Sequence, residues 1–111
     1  MFGSPVRKPS DGRVYGWLPE VCVTFLGNPV PITPNSHYDD LEQARGWVEY
    51  NVDAQRSMEV SPVNLIGYVR YGQVGKDPGS PFKVVLTGVS QVVQYRYVAD
   101  RFRWEEGSVG G

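Results

Sequence analysis

QVVQYRYVADRFRWEEG, residues 91–107, is the stretch on which the fold turns. Its aromatics alternate with arginines: Tyr95, Arg96, Tyr97, then Arg101, Phe102, Arg103, Trp104. A period of two marks a strand whose faces meet different surroundings. Read as one strand from Gln91 to Glu106, it sets Val93, Tyr95 and Tyr97 on an apolar side and Gln94 and Arg96 on the other. Past Ala99-Asp100 the phase changes, because Phe102 and Trp104 share the parity of Arg96. Either a bulge or bend restores the register and buries both rings, or they stay on the arginine side as an exposed aromatic-basic patch that needs a partner. The habit of large aromatics to be buried favours the bulge.

Working back along the chain, Phe82 to Val89 alternates as a strand and reaches Gln91 through a short turn at Gly88 to Ser90. GQVGKDPGSP, residues 72–81, reads as a long hairpin loop, and Asn64 to Tyr71 as the strand before it. Upstream lies the helix. Leu41, Ala44, Trp47, Val48 and Val52 fall on one stripe at three-and-four spacing. Ser36 or Asp39 can cap it, and Asp39 with Glu42 has capping-box spacing, so the helix runs to about Arg56. Gly46 in its middle costs about 1 kcal/mol against alanine, which a close approach to the sheet would explain. GNPVPITPNS, with prolines at 29, 31 and 34, is extended chain unsuited to a central strand. Glu20 to Leu26 is the first clear strand, with a further short one around Val14 to Leu18.

The element order is therefore β-α-β-β-β. It predicts an α+β two-layer sandwich, a mainly antiparallel sheet of four or five strands with one helix on one face. The helix side should carry Val21, Val23, Phe25, Leu65, Val69, Val84 and Leu86 together with the apolar side of the last strand. Residues 13–106 form a single domain between an irregular arm (1–12) and a frayed tail (107–111). A chain of 111 residues is long enough for one core. No apolar run spans a membrane, and the first residues lack the apolar core of a secretory signal. The single cysteine, Cys22, leaves no intrachain disulfide and fits a reducing cytoplasm.

Net charge is −1, so nucleic acid would have to be met by a local patch. Residues 36–56 hold five acids and two arginines, which makes the helix layer acidic and leaves the far face of the sheet basic. Tyr68, Arg70, Arg96, Phe102 and Trp104 are the residues such a patch would use, stacking bases and tracking phosphates. Trp47, Tyr50, Tyr95 and Tyr97 would line a small-molecule pocket between helix and sheet.

Other chemistry finds weaker support. Cys22 with His37 lacks a third orienting group for a nucleophilic pair. His37, Asp39, Asp40 and Glu42 together resemble a metal cluster, but acids are what a helix N-terminus prefers. Gly72 to Asp77 has neither the spacing nor the following helix of a phosphate loop. Glu105 and Glu106 are neighbours on a strand and face opposite ways. No catalytic residue, metal or cofactor is assigned. One helix leaves sheet uncovered, so the leading expectation is a non-enzymatic interaction module. It would self-associate or pair with a protein partner through the open face or an edge, with nucleic acid the lesser reading.

Overall fold

The computed structural model describes residues 13–107, apart from the side chains of Pro81 and Phe82; residues 1–12 and 108–111, and with them the expected arm and most of the tail, lie outside it. The fold is α+β: the described residues form one helix and one antiparallel sheet of five strands in the order β2-β1-β3-β4-β5. β1 is Tyr15–Phe25, β2 Asn28–Ile32, α1 Leu41–Ser57, β3 Leu65–Asp77, β4 Ser80–Val98 and β5 Arg101–Gly107, with a short 3-10 turn at Pro62–Asn64. Among the described residues no helix is long and apolar enough to cross a membrane.

β1 unites the two N-terminal strands expected separately. Proline has no N–H to give a neighbour, and Pro19 sits where β1 needs none on one side. β2 pairs with β1 only from Val21 onward, and Tyr38 bridges β1 at Trp17, so Pro19 falls between. The proline-rich connection does pair, but as the outermost strand, where Pro29 and Pro31 are tolerated.

The helix begins one residue later than the capping-box reading. Asp40, with extended backbone, is the N-cap and accepts the Glu42 N–H at 3.1 Å, which answers one of the donors a helix start leaves open. Ala44, Val48 and Val52 are fully buried against Val21, Leu65, Val69 and Val93 of the sheet. Each fully buried valine contributes roughly 1.5–3 kcal/mol relative to exposure. Close approach comes from the strand and not from Gly46, which is exposed with open space where a side chain would stand. At Gly67 of β3 a Cβ would lie within 2.3 Å of the Val48 side chain and 3.3 Å of the Tyr95 side chain. The absent side chain admits the helix.

The C-terminal half differs most from expectation. The long loop is strand to Asp77, and only Pro78-Gly79 turns, with Asp77 Oδ1 accepting the Gly79 N–H at 2.9 Å. Gly88 to Ser90 is no turn either. β4 passes straight through it, and those three residues face the single Gly72 of β3 between the pairs Tyr71–Gln91 and Gln73–Thr87. Two extra residues leave the alternation of β4 unchanged. Val84 and Leu86 therefore pair with Lys76 and Val74 on the side of Arg70 and Arg96, not on the helix side. Gly72 is obligatory here, since a Cβ would meet the Thr87 carbonyl oxygen at 2.9 Å. Phe25, also expected inside, is 64% exposed at the end of β1.

The true reversal is Ala99-Asp100, both with positive φ (50° and 68°), the backbone a tight two-residue hairpin demands. The single strand of residues 91–106 is thus two strands. Tyr97 faces Phe102 and Tyr95 faces Trp104 across the hairpin, so both late aromatics join the helix side. A reversal, not a bulge, corrects their phase.

Candidate partner-binding surface

The β3–β4 pair outruns the rest of the sheet. β1 accompanies β3 as far as Gln73, and the remaining two-stranded ribbon bends over the face the helix leaves open. Lys83, Val84, Val85 and Leu86 thereby stand across a cleft from Leu18, Glu20, Pro31 and Thr33, with Arg70 and Val89 between. The cleft holds about 430 Å³, the size of a site for one or two large side chains or a small ligand.

Its floor is set by register. Leu18 is opposite Arg70, and Glu20 is opposite Tyr68. Arg70 Nη1 donates to Glu20 Oε1 at 3.2 Å, and its guanidinium lies 4.8 Å from the centre of the Tyr68 ring. Both charged side chains are mostly covered, at 34% and 22% exposure. Ion pair and cation–π contact hold Arg70 flat on the sheet. Aliphatic side chains above it give the walls their apolar part, beside Lys83 and Thr33.

Further along the open face the second arginine is also engaged. Arg96 pairs with Glu105 across the β4–β5 hairpin, and Arg103 reaches the same carboxylate at 4.0 Å. A smaller cleft of about 280 Å³ lies at that end, between Thr24, the Pro62–Asn64 turn, Ile66, Arg96 and Tyr97.

The five residues proposed for a basic-aromatic patch divide between the two faces. Tyr68, Arg70 and Arg96 are on the open face. Phe102 and Trp104 are on the helix face, where Phe102 stacks on Tyr95 at 5.2 Å and Trp104 lies tilted against it at 4.5 Å. The helix reaches down to them with a second, polar stripe. Glu49 Oε2 accepts the Trp104 indole N–H at 2.8 Å, the Arg45 guanidinium lies 4.9 Å over the Trp104 ring, and Arg56 lies 5.6 Å over Phe102. Burial pulls the Arg45 pKa down, against the opposing pull of Glu42, Glu106 and Glu49. Burial, helped by Glu49 and Asp53, pushes the Tyr95 hydroxyl up.

The four aromatics proposed for a pocket between the layers are also dispersed. Trp47 packs on the edge of the core, whereas Tyr50 is 75% exposed. Tyr95 is sandwiched in the aromatic row, and Tyr97 donates to Asp100 at 3.3 Å beside the hairpin turn. Neither cleft described above is lined by Trp47, Tyr50 or Tyr95.

Cys22 and His37 are not neighbours. The His37 ring lies against Gly16, six residues down β1 from Cys22 and about 20 Å away at strand rise. His37 instead sits 3.6 Å from Asp39, while Asp40 caps the helix. Glu105 and Glu106 face Gln94 and Val93, on opposite sides of the sheet.

Leu18, Glu20, Val84, Leu86 and Val89 of the cleft were missed by the sequence reading. The signal that finds them is a glycine inside each of two facing strands, Gly72 and Gly88, since isolated strand glycines mark bulges. Compared with protein-family models, with curated proteins and with solved structures, the chain matches none of them.

Proposed function

We propose that the chain is a non-enzymatic binding module that holds an apolar segment of a second polypeptide in the cleft between the ribbon and the open sheet face. The observation that supports this is the chemistry of the cleft. Leu18, Val84, Leu86 and Val89 supply apolar walls, while the floor charges Glu20 and Arg70 answer each other. A self-neutralised floor favours an uncharged guest. Binding of single-stranded nucleic acid asks the same face for cations ready to meet phosphates, yet Arg70 and Arg96 each lie against a carboxylate. The stacking platform is reduced as well, with Tyr68 parted from Phe102 and Trp104. A reducing cytoplasm is the compartment we propose for it, supported by the single Cys22.

Selection of random peptides displayed on phage, followed by titration of the enriched peptides, tests this. Apolar peptides should emerge, and Leu86→Asp should weaken them by roughly tenfold, about 1.4 kcal/mol. A labelled oligothymidylate run in parallel should bind the wild type and the Arg70→Ala, Arg96→Ala double variant alike. Peptide binding indifferent to Leu86, or salt-sensitive oligothymidylate binding lost in the double variant, would overturn the proposal in favour of a phosphate-reading face.

A further inference from the structure

The two edges of the sheet are unlike. β2 carries Pro29 and Pro31 in five residues, and proline on an edge strand removes donors that a second chain would need. β5 has no proline in seven residues, Arg101–Gly107, and among the described residues its far side faces no other strand. Such an edge is a template for pairing unless something blunts it. Charge is the usual blunting device, but here charge is arranged to invite one particular partner.

Along β5 the basic residues come first and the acidic ones last: Arg101, Arg103, then Glu105 and Glu106. Two copies that pair antiparallel lay the basic half of one on the acidic half of the other. We propose that β5 pairs with β5 of a second copy of this chain, about a two-fold axis at Trp104, giving one continuous ten-stranded sheet.

The register follows from like charges. In a two-fold antiparallel pair, facing residues point to the same side, so the axis passes through a single residue of β5. With the axis at Arg103, that arginine would face its own copy. At Glu105, two carboxylates would meet, and at Phe102 the arginines 101 and 103 would oppose each other. Like charges directly opposite are destabilising. With the axis at Trp104, Arg103 of each copy faces Glu105 of the other, Arg101 faces Gly107, and Phe102 faces Glu106. Only this arrangement among the four creates two cross-strand ion pairs with no like-charge pair.

Aromatic content agrees. The axis brings Trp104 against its own copy on the helix face, where each indole is already held by Glu49 and packed against Tyr95. Facing aromatics are among the stronger cross-strand pairs. The helices do not obstruct, because α1 packs over β1 and β3 and reaches the β5 aromatics only with long side chains. The interface uses none of the cleft residues, so it stands or falls independently of the proposed function.

Charge complementation tests partner and register together. Light scattering should give twice the 12.4 kDa chain mass at high concentration. Arg103→Glu alone and Glu105→Arg alone should each weaken dimerisation by about tenfold or more, since each faces two like-charge pairs across the axis. Mixed in equal amounts, the two variants restore both ion pairs and should return to the double mass. Recovery in the mixture also shows that each variant is folded. A wild type that stays at single mass at every concentration overturns the proposal. So do variants that dimerise as the wild type does, or a mixture no heavier than its parts.

Discussion

The two faces of this sheet are made from the same strands, one residue apart, and are held in opposite ways. On the helix face Val21, Val69 and Val93 have no exposed surface, and Gly67 stands aside for Val48. On the open face Glu20 with Arg70 and Tyr68, and Arg96 with Glu105, interlock through ion pairs and a cation–π contact while staying in reach of water. The first is a volume constraint, unforgiving of one methyl group. The second is a set of pairings in high dielectric, each weak and replaceable. Stability resides on one face, which leaves the other free to specialise.

The sharpest way to break this contrast is to move a methyl group. Gly67→Ala forces a Cβ into the Val48 side chain and should cost about 3 kcal/mol, at the upper end for overpacking. Gly46→Ala, on the solvent side of the same helix, should stabilise by up to about 1 kcal/mol. Urea unfolding of both variants checks the pair; equal effects would mean that the helix is not seated on Gly67.

A smaller effect comes from a buried hydroxyl on the helix face. Tyr71 is 4% exposed, and its hydroxyl has no hydrogen-bond partner among the described residues. Burial, with Asp39 adding to it, raises its pKa above the ordinary value of 10.0, and Tyr95 is raised likewise. A raised tyrosine favours the folded state while it is neutral. Stability is therefore complete below about pH 10, where the unfolded tyrosines begin to ionise, and falls as pH climbs toward the folded values. Tyr71→Phe should stabilise by about 1 kcal/mol at neutral pH and make the alkaline loss shallower. Urea midpoints between neutral and alkaline pH read both. An unchanged slope would assign the loss elsewhere.

The open face should give the smallest response. A double-mutant cycle on Glu20→Gln and Arg70→Met should return a coupling of at most about 1 kcal/mol, declining with salt. A coupling as large as the Gly67 effect would erase the distinction between the faces.

Much of this architecture was legible because it rests on short periods. The helix stripe Leu41, Ala44, Val48 and Val52 and the alternation from Val21 to Val23 and from Leu65 to Tyr71 place the core directly. Tyr68, Arg70 and Arg96 were legible on the open face for the same reason. What the sequence hid was phase across interruptions. A two-residue hairpin turn usually announces itself by Asn-Gly or Asp-Gly. Ala99-Asp100 turns without a glycine, so Phe102 and Trp104 looked stranded on the wrong face. Conversely, Gly88 looked like a turn and is a bulge, and that hid Val84 and Leu86 from the cleft. Alternation reports which residues share a face only until the chain reverses or gains a residue.

The strand order also carries a kinetic consequence. β3, β4 and β5 form a meander whose neighbours are close in sequence, and β1 with β2 forms a second local hairpin. The seam between them, where Trp17 meets Tyr71 and Val23 meets Leu65, closes only after the whole helical connection has been gathered in. Loop closure must be met before those contacts repay it. The helix shortens the search, since it packs on both β1 and β3 and can carry one hairpin to the other. Folding should therefore proceed as the docking of two prefabricated halves. Substitutions at Val48 or Gly67 should slow that step, and so should changes that loosen the β3–β4 ribbon beyond Gln73, because that hairpin is already formed when the halves dock.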